Sequence, residues 1–406
     1  MDFAPTERSV ELAGVLRSFI DDRVIPASES YEASLVARPG EQPPIVAELQ
    51  DAARAAGLWN LCVRDPEYGP GLAFVEYAPL AEMLGPHPLA QEATNCDAPS
   101  NINADAMLIY ATPAQRELWL EPQLDGRIRS AFAMTEPAVA SSDAANIATS
   151  AERHGDRWVL NGRKWYISGV LHPHCAYMMT VACTDPDAGP HGRHTQFIVP
   201  LDTPGVTVVR NLPKFGYLDH HGHVEVVFDD VQLADDAVLG QVGGGFAIGQ
   251  ARLGPARVQH CMRIIGIAEA ALALMCERAQ ARTTFGAPVA TRSNVMDWIA
   301  DARIDIEAAR LLTLRTAWLM DRDGDKAAAP YMSQIKVQVI RAATTIVDRA
   351  IQVFGAAGVS DDTPLARWYA SLRGLRIADG PDEVHSMAIA RRELRRHAPP
   401  ATRPRP

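Results

Sequence analysis

Arg157-Trp158-Val159-Leu160-Asn161-Gly162-Arg163-Lys164-Trp165-Tyr166-Ile167 is the stretch on which the division of the chain turns. Two short β-prone runs flank Asn161-Gly162, a dipeptide that tolerates the positive φ of a tight turn, so the stretch predicts a β-hairpin with its turn at 161–162. Further β-rich runs follow at 176–183, 195–199, 206–209 and 223–228, separated by segments rich in Pro, Gly and Asp. Together they predict an all-β segment of roughly 110 residues in the middle of the chain.

Outward from that segment the pattern is helical. From residue 7 to about 127 apolar residues recur with helical spacing, as in Val10, Leu12, Leu16 and Ile20, with breaks expected at Pro26, Pro39-Gly40, Pro43-Pro44, Gly69 to Gly71 and Pro86 to Pro88. From Gly249 helices return, and Met332, Ile335, Val339, Ala342, Ile346, Ala350 and Val353 step by three or four, one apolar stripe on one long helix. Such helices pack as bundles. The expected class is α+β: an N-terminal all-α domain over 1–128, a middle β-barrel or sandwich over 129–242, a C-terminal four-helix bundle over 243–397, and a frayed Pro/Arg-rich tail over 398–406. No glycine fingerprint follows a strand and no phosphate loop occurs, which disfavours doubly wound nucleotide-binding folds.

A length of 406 residues suits two or three cores, and 47% hydrophobic with 22% charged residues excludes long disorder. The net charge of −10, with no basic block beyond the cluster Arg391, Arg392, Arg395 and Arg396 near the C-terminus, excludes a phosphate-backbone footprint, so no nucleic-acid partner is expected. The six cysteines contain no C-x-x-C pair, which argues against a zinc knuckle or redox pair and for a reducing compartment. Neither a signal segment nor a membrane span is expected, and a cytoplasmic, bacterial-type location follows from that reading.

Four motifs carry chemistry. Phe132-Ala133-Met134-Thr135-Glu136-Pro137 with Ser141-Ser142-Asp143 lies at the helical–β junction, and Gly162-Arg163-Lys164-Trp165-Tyr166-Ile167-Ser168-Gly169 closes the expected hairpin. Arg282-Thr283-Thr284-Phe285-Gly286 pairs with Gln352-Val353-Phe354-Gly355-Ala356-Ala357-Gly358, and Ile377-Ala378-Asp379-Gly380-Pro381-Asp382-Glu383-Val384-His385 lies near the C-terminus. Taken singly, each has a plain alternative: a turn or N-cap, a core aromatic, a surface charge or helix C-cap, and a capping or solvated carboxylate.

Together the four resemble the acyl-CoA dehydrogenase family over essentially the whole chain. The resemblance implies FAD as cofactor. It places Phe132, Met134 and Thr135 along the flavin ring, Tyr166 as the aromatic stacked near it and Ser168 as a hydroxyl donor. Fixed dipoles there would stabilise the negative charge of reduced flavin. Arg282, Thr284, Phe285, Gln352 and Ala356, the last standing where glycine is common, would reach the pyrophosphate and adenine of a neighbouring subunit's cofactor, which implies a homodimer or homotetramer. Pro381 and Glu383 are placed at the cofactor as well. Asp379 stands where the family carries its catalytic carboxylate, which needs shelter from water to approach the pKa of the acidified carbon. Most relatives use Glu, about 1.5 Å longer, so backbone or substrate must move inward. Ser142 and Arg257 are the implied substrate contacts; Gly254 replaces an acid often found three residues before Arg257.

The implied reaction is dehydrogenation of an acyl-CoA to the 2-enoyl-CoA, with electrons passing to an electron-transfer flavoprotein. A flavin-dependent oxidase acting on a nitroalkane or an acyl-CoA, and an inactive acyl-CoA-binding scaffold, stay open as alternatives. The motif Asp379 to His385, with Arg163 to Gly169 and Leu253-Gly254-Pro255-Ala256-Arg257, looks most like the branch whose animal members are fused to a kinase-like domain, a domain not expected in this chain. That likeness implies a 4-hydroxy or 4-phosphorylated acyl chain, with Asp382, Glu383 and His385 as polar neighbours. His220, His221 and His223 read as solvated or lid-forming rather than as a metal site, and His172 and His174, flanking Pro173, are candidates to line a substrate path.

Overall fold

The computed structural model describes residues 4–398, so the expected frayed tail lies, beyond Ala398, outside the described residues. Two compact units form: one gathers residues 4–13, 73–87 and 254–398, and the other holds 14–72 and 88–253.

The helices of the first part are α1 (Glu7–Phe19), α2 (Ile25–Ala37), α3 (Pro44–Ala55), α4 (Phe74–Leu84), α5 (Pro88–Ala93), α6 (Ser100–Tyr110), α7 (Pro113–Gln115) and α8 (Glu121–Leu124). Pro26 does not break the run. It occupies the first turn of α2, directly after a π-helical turn at Ile20–Val24 whose wider backbone spacing absorbs the missing donor and the ring.

In the second unit, β1 (Arg129–Ala133), β2 (Ser150–His154), β3 (Arg157–Ser168), β4 (Cys175–Cys183), β5 (His194–Pro200), β6 (Val206–Asn211), β7 (His223–Ala234) and β8 (Val238–Leu239) form one mixed sheet. Its order is β6-β7-β3-β2-β4-β5-β8, with β1 parallel to β4. Trp158, Phe197, Phe228, Val226 and Met178 fill the core on one face.

The hairpin expected at 161–162 is absent. β3 runs straight through Asn161-Gly162 as one strand of 12 residues, and the turn to β2 is made at Gly155, φ +67°. Asn161 instead pairs across the sheet, donating from Nδ2 to Asp230 Oδ1 (3.0 Å) and accepting the Asp230 amide (2.8 Å), while the register slips between Leu160 and Gly162. Gly162 is demanded by packing: a Cβ there would lie 2.4 Å from Thr149 Oγ1. An Asn-Gly pair suits a bulge as well as a turn, and only the partner strand decides which.

The first unit is helical, built from α4, the greater part of α9 (Gly245–Ala281), α10 (Ser293–Asp323), α11 (Asp325–Phe354), α12 (Leu365–Leu375) and α13 (Asp382–Arg396). α11 buries the expected stripe, Met332, Ile335, Val339, Ala342, Ile346 and Ala350, with Val353 half-buried at its end. α4 and α9 meet backbone to backbone, since a Cβ on Gly85 or Gly266 would lie 2.0 Å from Arg263 O or 1.8 Å from Glu82 O. Arg310 ties the same helices together through Glu82 (3.0 Å) and Glu269 (2.6 Å). α9 is apolar and long enough to cross a membrane by composition, and 67% of its most apolar window is buried, as in a core helix. Between α9 and α10, β9 (Thr283–Thr284) and β10 (Ala287–Pro288) make a small hairpin.

Candidate active site

In the helical unit, α12 ends at Leu375 and α13 starts at Asp382, and the connection places Asp379 in the left-handed region, φ +54°, followed by Gly380 at φ +96°. The Asp379 carbonyl is held from two sides: Arg257 donates Nε–H at 3.1 Å, and His385 approaches with Nε2 at 3.2 Å. A carbonyl only accepts, so Nε2 carries the His385 proton, and Nδ1 receives the Ser333 hydroxyl at 3.3 Å. Burial, with the Arg257 charge nearby, pushes the His385 pKa down to about 4, which agrees with a neutral ring. Gly380 is required here because a Cβ would stand 2.8 Å from His385 Nε2. Lys336, buried on α11, donates to Leu375 O at 2.6 Å and fixes the end of α12.

The Asp379 carboxylate faces His260 Nε2 at 3.6 Å, and both side chains are 21% exposed, sheltered yet reachable. Asp382 is not a polar neighbour in waiting: it is buried and bound by Arg341 (3.0 Å) and Arg376 (2.8 Å). His385 is buried under the turn, whereas Glu383 is exposed on the first turn of α13 and Pro381 is its N-cap. Of the three expected polar neighbours, Asp382 through its Oδ2 and His385 are therefore engaged in holding the turn, while Glu383 is exposed.

The other predicted residues of this unit sit near the ends of α9 and α11. Arg282 and Gln352 are exposed, Ala356 likewise, and Phe285 is 100% exposed at the β9–β10 tip with φ +48°. Thr284 is capped through its carbonyl by Arg292. The Arg278 guanidinium, one turn before Arg282, lies over the Phe354 ring at 5.3 Å and joins the two segments. Gly358 is buried against Ile351, where a Cβ would lie 2.7 Å from its carbonyl oxygen.

In the β unit the two predicted flavin-side stretches come together. Glu136 and Lys164, both buried, pair at 2.8 Å; Lys164 Nζ also donates to Met134 O (3.0 Å), and Glu136 accepts the amides of Ala148 and Thr149, each at 2.8 Å. The Trp165 amide donates to Thr135 O at 2.9 Å. Sequence reasoning missed the Lys164–Glu136 pair; its only trace is a charged residue flanked by strand residues. The result is a braced ledge on which Thr135 is exposed and Tyr166, at φ +52°, leaves the strand's alternation with 43% exposure, its ring edge-to-face with Trp165 at 5.2 Å. A rigid outward aromatic beside a fixed backbone edge fits a flat conjugated ring such as isoalloxazine. Ser168 differs from expectation in that its hydroxyl is already bonded to His223 Nδ1 at 2.8 Å. Phe132 packs under the Arg252 guanidinium (4.0 Å), which Asn103 holds at 2.6 Å, and Ser142 lies exposed in the loop beyond.

A second cluster in the β unit corrects the reading of the histidines. His220 is exposed, but His221 faces buried Glu92 (3.8 Å) and His223 pairs with Asp219 (3.4 Å). His172 is 3% exposed, too deep to line an open path, and meets Glu92 Oε1 at 3.3 Å, while Tyr31 donates its hydroxyl to Oε2 at 2.6 Å. Ligand atoms of Glu92, His172 and His221 lie within 4.8 Å of one another, near enough to share a cation. Yet His172 Nδ1 accepts the His174 amide at 3.1 Å, so Nε2 bears the proton and donates to Glu92. A metal ligand needs that lone pair free, with the other ring nitrogen donating, so the cluster works as a hydrogen-bond network. Burial would raise Glu92, but the His172 bond and the neighbouring His221 and Arg129 charges outweigh it and hold the carboxyl far below its usual range.

Burial lowers His172 to about 4. Its folded pKa lies below the unfolded value of about 6.5, so its contribution is whole above pH 6.5 and lost as pH falls toward 4, by up to about 3 kcal/mol. Thermal midpoints measured from pH 7 to 4.5 should therefore drop steeply for the native chain and less steeply for His172→Gln, which keeps a donor to Glu92 without titrating; parallel curves would refute this.

Profiles of the acyl-CoA dehydrogenase N-terminal, middle and C-terminal domains match residues 6–127, 131–231 and 243–394. The chain is 48% identical over 400 residues to "Probable acyl-CoA dehydrogenase FadE2" of Mycobacterium tuberculosis, covering 98% of each. It is 46% identical over 387 residues to acyl-CoA dehydrogenase family member 10 of the mouse, covering 94% of this chain but only 36% of that longer protein. A solved structure from Mycobacterium abscessus, assigned as an acyl-CoA dehydrogenase, superposes with a TM-score of 0.94 at 46% identity over 97% of this chain and 100% of that one. With the carboxylate-bearing turn and the aromatic ledge, these matches establish that the chain belongs to the acyl-CoA dehydrogenase family of FAD-dependent oxidoreductases.

Proposed function

We propose that the protein oxidises an acyl-CoA thioester to the 2-enoyl-CoA, with Asp379 as the base that takes the α-proton. The observation that carries this reading is the Asp379 turn: its backbone is fixed by Arg257 and His385, while its carboxylate is sheltered but reachable and faces His260 at 3.6 Å. Bound FAD would supply the acceptor for the β-hydrogen and its electron pair. Thr135 and Tyr166 would hold its ring, with the Lys164–Glu136 brace keeping their strands in place. Exposed Arg282, Phe285 and Gln352 suit a role toward a second subunit's cofactor, so the working form would be a homodimer or homotetramer. The electron acceptor would be an electron-transfer flavoprotein.

The substrate we favour bears a hydroxyl or phosphoryl group on C4 of the acyl chain. Support comes from the branch likeness and from the short base; the residues after Gly380 no longer add to it. A site built to bond a hydroxyl discriminates against its absence more strongly than one built around a methylene.

Purified protein should be yellow, with about one FAD per chain, and its flavin should bleach anaerobically with one of a panel of plain and 4-hydroxyacyl thioesters, fastest with a 4-hydroxyacyl-CoA. A colourless protein, or flavin that no thioester reduces, would overturn the dehydrogenase reading. Equal or higher kcat/KM for plain acyl-CoAs would remove the C4 preference alone. Rapid oxygen consumption during turnover would favour the oxidase alternative.

A further inference from the structure

The α9 face opposite the Asp379 turn presents two residues one helical turn apart: Arg257 grips the Asp379 carbonyl, and His260 meets its carboxylate. One fixes the backbone and the other the side chain. Resting on the proposed dehydrogenase reading, we propose that His260 is a positioning residue for the base: its imidazole N–H aims the Asp379 carboxylate and sets the pH at which it is ionised and ready.

Several charged and titratable groups lie around Asp379, and the contacts of each set His260 apart as the ring that faces its carboxylate. From α9, Arg257 is spent on the carbonyl, and Cys261 is a fully buried thiol that burial pushes up to about 12. From α11, Lys336 is bound to Leu375 O. From α13, Asp382 is held by Arg341 and Arg376, and His385 is turned to the carbonyl and Ser333. His260 directs a ring nitrogen at a carboxylate oxygen of Asp379, at 3.6 Å, a separation of the kind that tightens to a hydrogen bond once substrate is bound. A short base at a left-handed position has one fewer torsion than Glu to aim with, so an external partner matters more.

The test pairs kinetics with a measurement independent of turnover. His260→Ala should keep its FAD and leave KM within about two-fold, but lower kcat by about 10- to 100-fold, because the carboxylate loses its aim. It should also move the acid limb of kcat/KM to higher pH, because the ionised form loses its donor. His260→Gln places an amide N–H where Nε2 stood, so it should recover most of kcat and return the limb most of the way to its native position. A purely structural role would lower FAD content and stability without moving the limb. In parallel, NMR titration of the His260 ring in the FAD-bound enzyme should give a lower midpoint in Asp379→Asn than in the native chain, which needs no substrate. Native kcat and limb in His260→Ala, or an identical His260 midpoint with and without the Asp379 charge, overturns the proposal. If no thioester reduces the native flavin, the dehydrogenase reading fails while the NMR comparison still decides whether His260 and Asp379 are coupled.

Discussion

Asp379→Asn should bind FAD and acyl-CoA as the native chain does, yet reduce its flavin with substrate about 10²- to 10⁴-fold more slowly, the range general-base removal commonly covers. The amide keeps the volume, and the Arg257 and His385 bonds go to the backbone carbonyl, so the turn is undisturbed. What is lost is basicity, together with the negative charge that faces His260. Stopped-flow bleaching under anaerobic conditions measures it directly, and a rate within ten-fold of native would place the base elsewhere. Asp379→Glu is the sharper variant. Besides lengthening the reach, it puts a longer side chain at φ +54°, which Asp tolerates better than Glu because its short carboxylate can bond local backbone. Impaired reduction is expected, although Glu is the usual residue of the family; full activity would mean that the pocket has not adapted to the shorter base.

Lys164→Met should be the most destabilising of the substitutions considered, by about 3–5 kcal/mol, because it strands the Glu136 charge in the interior. Lys164 is fully buried, and burial pulls its ammonium down to about 8 despite Glu136, so the charge persists at neutral pH through that partner. The same ammonium holds Met134 O, which adjoins the Thr135 carbonyl that accepts the Trp165 amide. Loss of FAD should therefore accompany the lowered denaturation midpoint, read from flavin fluorescence during melting. The double variant Lys164→Met with Glu136→Gln should recover much of the loss, since it removes both charges; a double variant as unstable as the single one would contradict the stranded-charge account.

Much of the candidate site, in each unit taken by itself, was legible as residue types in a fixed order. Asp379-Gly380, Thr135 and Tyr166 are local motifs whose conformations, φ +54°, an exposed backbone edge and φ +52°, are set within a few residues. The α11 stripe was legible for the same reason: a 3.6-residue period is written along the chain, and burial follows it. Asn161-Gly162 shows where local signals stop. The dipeptide licenses either a turn or a bulge, and the choice fell to Asp230 and Thr149, residues distant in sequence that no local window contains.

The histidines divide the same way. Pattern alone could not bring His172 and His221 to Glu92, because the three belong to two loops and a short helix that only the folded β unit assembles. Likewise Asp382 and His385 read as free polar groups until α11 and the turn after α12 supplied Arg341, Ser333 and Arg376. The sequence by itself determined the order of helices and strands, the family, and the carboxylate on its glycine turn, since each depends on short-range periodicity or on a contiguous motif. Tertiary structure alone decided which polar side chains pair with one another, because a buried charge or amide must find its partner wherever the fold provides one, at any distance along the chain.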